Sequence, residues 1–279
     1  MSQSTPAPQN PDRFVPFTAR LMAAIRAKET ARADRLFNDS FAEQLAGEEA
    51  FTFLAEKLQE QDRAYVAVRT RFFDDFLVDV ATKVNQIVIL ASGMDTRAYR
   101  LPWSSTTKIY ELDRAQVLET KKAILANATP NCQHYTIAAD LTQSWSHLLL
   151  NQGYQPDLPS AWLLEGLLMY LSEPQVTQLL QTISQLTAGG SYIGLDLVNV
   201  KSIEYEPYKG YFRSGFDFPE QLLAEYGWKA KVIQPGDETA HFERYTNKLP
   251  PRNIPDVERV FLIKAHKVRG AGEKDTSDF

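Results

Sequence analysis

The stretch "VILASGMDTRAYRL", Val88 to Leu101, opens with four apolar residues and then turns abruptly polar. A short continuous apolar run reads as a strand buried on both faces. At its exit stand Ser92, Gly93, Asp95 and Arg97. Glycine there permits a tight turn and a close approach of backbone to a ligand. Similar runs recur downstream: "KIYELD", "HYTIAAD", "AWLLEG" and "SYIGLDLV", separated by helical stretches such as "RAQVLETKKAILA" and "EPQVTQLLQTISQLT". Buried strands alternating with helices predict an α/β fold with a parallel sheet. Near the end "KAKVIQ" and "RVFLIKAHKV" predict a closing antiparallel pair with a long connection.

Upstream the pattern is helical. "FTARLMAAIRAKET" spaces its apolar residues as a helix does, and "LFNDSFAEQLAG" offers Asn38 or Asp39 as an N-cap and Gly47 as a stop. The stretch from Phe51 to Lys83 has neither Gly nor Pro and reads as one long helix or two. These features divide the chain into a disordered tail (1–13), an N-terminal helical cap (14–85), an α/β domain (86–268) with a tyrosine-rich insertion at about 200–217, and a second tail (269–279).

Bulk composition narrows the class. The chain of 279 residues is 44% hydrophobic and 23% charged, as a soluble globular protein is. A net charge of −5 speaks against a nucleic-acid binder held by a general basic field. The single cysteine, Cys132, cannot form an internal disulfide and reads as a small buried hydrophobe on a strand. The four histidines have no spacing suited to zinc, so no metal site is expected. Nothing reaches the length of a membrane span, and the N-terminus lacks a secretory pattern, so a cytoplasmic location is expected.

In open α/β sheets, ligands bind at the carboxyl ends of the strands. Here those ends carry Asp95, Glu111 with Asp113, Asp140, Glu165 and Asp196. Each alone could cap a helix; together they are costly to cluster unless something uses them. Asp113 lies 20 residues after Gly93, the spacing at which a carboxylate at the end of the second strand accepts ribose hydroxyls. The dinucleotide glycines are missing, with Ala91 where the first would stand, and Asp95 would repel a pyrophosphate. A ligand with a ribose, cationic groups and no pyrophosphate fits, and S-adenosyl-L-methionine is such a ligand. A nicotinamide dehydrogenase fits poorly for the same reasons.

Taken in order, "AAIRAKETARADRLFNDSFAEQLAG", "RTRFFDDFL", "ILASGMDTRAYRL", "YELDRAQVLETK", "AADLTQSW", "LLEGLLMYLSEPQV" and "AEYGWKAKV" resemble the leucine carboxyl methyltransferase-like family, which includes polyketide O-methyltransferases. The resemblance covers about Ala23 to Val268; the glycine loop departs from it, with Ala91 and Ser92 replacing the usual "GAG". It implies a Rossmann-like class I methyltransferase fold, a mostly parallel seven-stranded sheet with helices on both faces. It also implies S-adenosyl-L-methionine as cofactor. By motif, Ala91 and Gly93 would line the methionine portion, Asp113 would hold the ribose, and Asp140 and Leu141 the adenine. Glu165 would sit near the ammonium, Tyr170 on the same turn, and Arg69 or Arg71 would pair with the carboxylate. Glu165 and Tyr170 are the catalytic candidates. Asp95 and Arg97 are expected to form a local ion pair that shapes the loop.

The implied activity is methyl transfer to a carboxylate or hydroxyl of a small molecule, with neither nucleic acid nor membrane as partner. Two alternatives stand beside it: a cofactor-binding protein of this fold without catalysis, and a carboxyl methyltransferase of a peptide terminus. The aromatic group Tyr205, Tyr208, Tyr211, Phe212, Phe216 and Phe218 is a candidate wall for the acceptor.

Overall fold

The computed structural model describes residues 11–204 and 209–268. Seven strands form one sheet in the order β3-β2-β1-β4-β5-β7-β6. They are β1 (Gln86–Leu90), β2 (Lys108–Asp113), β3 (Gln133–Ala138), β4 (Ala161–Leu164), β5 (Tyr192–Val198), β6 (Trp228–Ile233) and β7 (Val260–Lys267). The first five are parallel, and β7 enters antiparallel between β5 and β6. This is the Rossmann-like fold of class I methyltransferases. The chain winds outward through β2 and β3, returns, and winds the other way from β4. The switch therefore lies between β1 and β4, where a crevice opens at the carboxyl ends.

The period-2 alternation of a strand explains why β1 is apolar from Ile87 to Leu90. Val88 and Leu90 join a core with Trp162, Leu164 and Leu195 on one face. Ile87 and Ile89 join a second core with Leu163, Phe72, Phe73 and Phe76 on the other. Helices cover both faces. They are α1 (Pro11–Thr30), α2 (Ala42–Lys57), α3 (Glu60–Val80), α4 (Arg97–Arg100), α5 (Ala115–Ile124), α6 (Ser146–Asn151), α7 (Glu173–Gln185) and α8 (Pro219–Ala224). On α7, a capping box between Ser172 and Gln175 starts the helix, and Val176, Leu179, Leu180 and Ile183 form its buried stripe.

The cap expected over 14–85 divides in the structure. α1 and α2 pack on each other in a separate small core that also takes in Val66, Met94, Val117 and Leu125. α3 instead lies on the sheet, because Phe72, Phe73, Phe76 and Leu77 give it a stripe that the second core buries. It comes close enough that a Cβ on Gly194 of β5 would stand 2.7 Å from the Phe76 ring, so glycine is required there. Gly47 leaves helical geometry (φ 72°, ψ 163°), so the stop expected there falls at a kink that divides α2 into two helical segments. The expected first tail also needs correction: residues 11–13 belong to α1, while 1–10 and 269–279 lie outside the described residues. Cys132 sits one residue before β3 rather than on it, half-buried, and burial pushes its thiol up to about 12. Among the described residues no helix is long and apolar enough to cross a membrane.

Candidate active site

A cavity of about 770 Å³ opens at the carboxyl ends of β1, β2, β4 and β5. That is within the range of small-molecule sites. Its wall includes Arg69, Ala91, Gly93, Asp113, Asp140, Leu141, Glu165 and Tyr170. Arg71 is not brought there. It pairs with Asp75 at 2.8 Å, half-exposed, and donates to the Leu36 carbonyl. The reason is helical: residues two apart on α3 lie about 200° apart around the axis, and the apolar stripe turns Arg69 inward.

The turn after β1 is built by backbone. Ala91 and Gly93 both take the left-handed conformation, at φ 51° and 52°. The Gly93 N–H donates to Asp113 Oδ2 at 2.6 Å, and the Arg114 N–H donates to Oδ1 at 2.7 Å. Asp113 thus ties the ends of β1 and β2 together and keeps further lone pairs for a ligand. Burial pushes its carboxyl up, against these hydrogen bonds. Helix α1 passes across the turn: a Cβ on Gly93 would meet Ala19 at 3.3 Å, and Arg26 Nη2 donates to the Met94 carbonyl at 2.5 Å. Alanine in the left-handed region costs on the order of 1 kcal/mol. Ala91→Gly is therefore expected to stabilise the fold by up to about 1 kcal/mol in urea unfolding, part of the gain being offset by chain entropy.

Behind the turn runs a buried chain of seven charges. Arg100 grips Asp74 with both Nη atoms, at 2.6 and 2.7 Å. Arg97 joins Asp74 (2.7 Å), Asp95 and Glu165 (2.8 Å). Arg69 joins Glu165 (3.1 Å) and Asp196 (2.9 Å). The Asp196 carboxylate also accepts the Gly166 N–H at 2.6 Å and the Tyr65 hydroxyl at 3.2 Å. Four carboxylates face three guanidiniums, so the chain holds one negative charge in excess. Three of the six acidic strand-end residues, Asp95, Glu165 and Asp196, are therefore used by arginines. Glu111 is the exception in place: it is fully buried away from the cavity with Lys121, 2.6 Å away.

The expected Asp95–Arg97 pair is present, and Arg97 reaches further than a local pair requires. Burial acts to raise the Asp95 carboxyl, yet Arg97, Lys121 and Arg100 together lower it from 3.8 to about 2. A depressed carboxylate stabilises the fold above its unfolded value and loses that contribution as pH falls through the folded one. The stability difference between wild type and Asp95→Asn is thus expected at pH 5 and should vanish between about pH 4 and pH 2, read by urea unfolding across that range.

Glu165 has both oxygens engaged by arginines, which hold its carboxyl below the usual range against the effect of burial. It is a fixed anion, suited to face a cation rather than to take a proton. Asp140 accepts the Thr142 N–H (2.9 Å) and hydroxyl (2.7 Å), which lower its carboxyl. Tyr170 stands edge-on to Phe212 at 5.5 Å. Of the aromatic wall, Tyr211 and Phe212 line the cavity, Phe216 packs on the core and Phe218 is 60% exposed. Tyr205 and Tyr208 lie outside the described residues. Sequence reading missed Tyr65, Asp74 and Arg100; the helical offsets of four between Tyr65 and Arg69, and between Thr70 and Asp74, were the available signal.

Polar atoms remain for a ligand. Among the described residues Ser92 Oγ is buried with no hydrogen-bond partner, and the Arg69 Nη2 group meets the Met22 sulfur at 3.5 Å. Gly166 leaves open a space beside that guanidinium which a Cβ would narrow to 3.3 Å.

Comparison with known proteins places the chain in a family. Residues 19–184 match the family model described as leucine carboxyl methyltransferase. A Parafrankia protein named "Putative S-adenosyl-L-methionine-dependent methyltransferase" is 41% identical over 191 residues, covering 64% of this chain and 62% of its own length, less than two thirds. A Saccharopolyspora erythraea protein of the same name is 34% identical over 264 residues, covering 82% of this chain and 88% of its own. In fold, the crystal structure of a DUF574 family protein from Streptomyces avermitilis aligns with a TM-score of 0.57 at 12% identity, over 90% of this chain and 97% of that one. A Thermobifida fusca structure titled "putative methyltransferase" aligns at 0.53 and 17% identity, over 90% and 94%. By its matched segment and by its likeness to relatives along most of their length, the chain belongs to the leucine carboxyl methyltransferase family.

Proposed function

We propose that this protein transfers a methyl group from S-adenosyl-L-methionine to an oxygen, a carboxylate or hydroxyl, of a small molecule. The observation that carries the reading is the turn at Gly93 bonded to Asp113, placed beside a buried charge chain with one carboxylate in excess. The residues present fit the cofactor. Asp113 has lone pairs for ribose hydroxyls, and Asp140 and Leu141 flank the space for adenine. Glu165 and Asp95 would face its ammonium, and Arg69 Nη2, which meets the Met22 sulfur, would donate to its carboxylate. Ser92 Oγ adds a polar atom in need of a partner.

When bound, the cofactor supplies a methyl group on a sulfonium, whose leaving group is a neutral thioether needing no acid. The protein's work is alignment and exclusion of water. Leu90, Met94, Val117 and Leu141 give the cavity apolar walls, and α1 closes over the turn. The excess negative charge favours a ligand of net positive charge over its neutral product. The test is transfer of labelled methyl from S-adenosyl-L-methionine to a panel of small carboxylic acids, phenols and alcohols. Label in at least one methyl ester or ether supports the reading. Binding of the cofactor without transfer to any member of the panel would favour the non-catalytic alternative.

A further inference from the structure

Helix α1 turns one stripe toward the rest of the protein. Ala19, Met22, Arg26 and Glu29 follow one another at helical intervals of three and four residues, which places them on one face. Each meets a different partner. Ala19 stands against the Gly93 turn. Met22 reaches Arg69 Nη2 at 3.5 Å. Arg26 donates to the Met94 carbonyl at 2.5 Å and to Asp39 at 2.8 Å. Thr18, Ala19, Leu21, Met22 and Arg26 line the cavity, so this stretch of α1 is its roof beside the Gly93 turn. Glu29, the last of the stripe, lies about 15 Å along the helix axis from Ala19.

Glu29 is buried, and its close cation comes from the far end of the chain. Arg244, in the connection between β6 and β7, donates from Nη1 to Glu29 Oε2. Its Nη2 donates to the Asp34 carbonyl at 2.7 Å and stands 3.2 Å from the Asp34 carboxylate. Glu29 Oε1 accepts the Leu36 N–H at 2.7 Å. Half-exposed Arg32 is further off, at 3.9 Å, and is engaged by Asp34 at 2.9 Å. The turn that presents Arg244 is strained. Phe242 and Glu243, neither of them glycine, both take the left-handed conformation, at φ 45° and 54°. Two such residues in succession persist only where their surroundings hold them. Here the His241 carbonyl accepts the Arg244 and Tyr245 N–H groups at 2.8 and 2.9 Å, and the Phe242 ring packs on the Arg71 guanidinium. Arg244 itself does not line the cavity.

We infer that Arg244 is a positioning residue for the cofactor: through Glu29 it holds α1 down along its stripe, so that Ala19, Met22 and Arg26 stay seated over the Gly93 turn. α1 packs chiefly on α2, in the small core that meets the rest of the protein through Val66, Met94, Val117 and Leu125. Without Arg244 the buried Glu29 carboxylate loses its close cation, and a buried charge without a partner is costly. Water relieves that cost when the C-terminal end of α1 lifts, and a rigid helix carries the lift to the roof. A roof that is shut over a bound ligand acts on its escape. The inference rests on the cofactor reading of the Gly93 crevice and adds to it a residue outside the cavity.

The test is the dissociation rate of S-adenosylhomocysteine from the full chain, by stopped-flow displacement, with each variant held well below its own thermal midpoint. Arg244→Gln is expected to release the ligand about three- to tenfold faster than wild type. Arg244→Lys should recover part of this, since it restores a cation at Glu29 without the fork that also reaches Asp34. Glu29→Gln weakens the same contact from the other side and should speed release at least about twofold, and the double variant should be no faster than Arg244→Gln alone. Arg252→Gln is the control. It removes an arginine of the same connection whose bonds go to Glu220 and the Asp217 carbonyl, and should leave the rate within about twofold. An Arg244 that only stabilised the fold would lower the thermal midpoint and leave the dissociation rate unchanged. That result, no recovery with lysine, or equal acceleration in Arg252→Gln overturns the inference while the proposed function stands. If Arg244→Gln does not fold, Glu29→Gln decides by the same rate. Failure of S-adenosylhomocysteine to bind wild type overturns the cofactor reading itself, and this inference with it.

Discussion

Arg97→Leu is expected to destabilise the fold by about 3–5 kcal/mol, the cost of leaving a buried carboxylate without its partner. Arg97 is only 4% exposed and bridges three carboxylates at once: Asp74, Asp95 and Glu165. For a chain of this size each kcal/mol moves the thermal midpoint by roughly 2–4 °C, so a fall of about 10 °C is expected. Arg97→Lys should recover part of the loss, since it restores the charge but not the fork that reaches three partners. Arg71→Ala is the control. Its pair with Asp75 is an exposed i,i+4 contact, with the two side chains 39% and 44% exposed. Such a pair contributes within about 0.5 kcal/mol. Urea unfolding of the three variants separates the buried network from the surface pair. Equal losses in Arg97→Leu and Arg71→Ala would contradict the network.

Asp113→Ala is expected to weaken S-adenosyl-L-methionine binding by about 1–3 kcal/mol, roughly five- to 150-fold. Two losses contribute. The ribose hydroxyls lose their acceptor, and the Gly93 and Arg114 N–H groups lose theirs. Asp113→Asn separates these. Its amide oxygen can still receive one N–H, while the amide nitrogen cannot accept the other. Asparagine should therefore bind with intermediate affinity. Isothermal titration showing unchanged affinity in Asp113→Ala would remove Asp113 from the site.

The parts of this architecture legible in the sequence were those written in local pattern. β1 reads directly from "IVIL", because a strand buried on both faces has to be apolar along its length. The Gly93–Asp113 relation is also local in kind. One βαβ unit fixes the distance between two successive strand ends, so a spacing of 20 residues becomes a hydrogen bond. What remained open was a matter of facing. "RTRFFDDFL" holds two arginines two positions apart, and only the packing of Phe72, Phe73 and Phe76 on the sheet decides which one turns inward. The charge chain was only partly legible. Asp95 and Arg97 are two residues apart, but Arg97 and Asp74 are 23 apart and Tyr65 and Asp196 131 apart. Contacts between elements that meet only after folding leave no period in the chain. The clustering of acids at the strand ends did announce a partner. It did not say that three of the six, Asp95, Glu165 and Asp196, would be held by the protein's own arginines.

The central claim is that the Gly93–Asp113 crevice holds S-adenosyl-L-methionine. The most direct measurement compares thermal unfolding with S-adenosyl-L-methionine, S-adenosylhomocysteine and NAD side by side. At ~100 times its dissociation constant a ligand stabilises by about 2.7 kcal/mol, a rise of roughly 5 °C or more. The expected result is a rise with both adenosyl ligands and none with NAD. A rise with NAD alone, or with none of the three, would contradict the account.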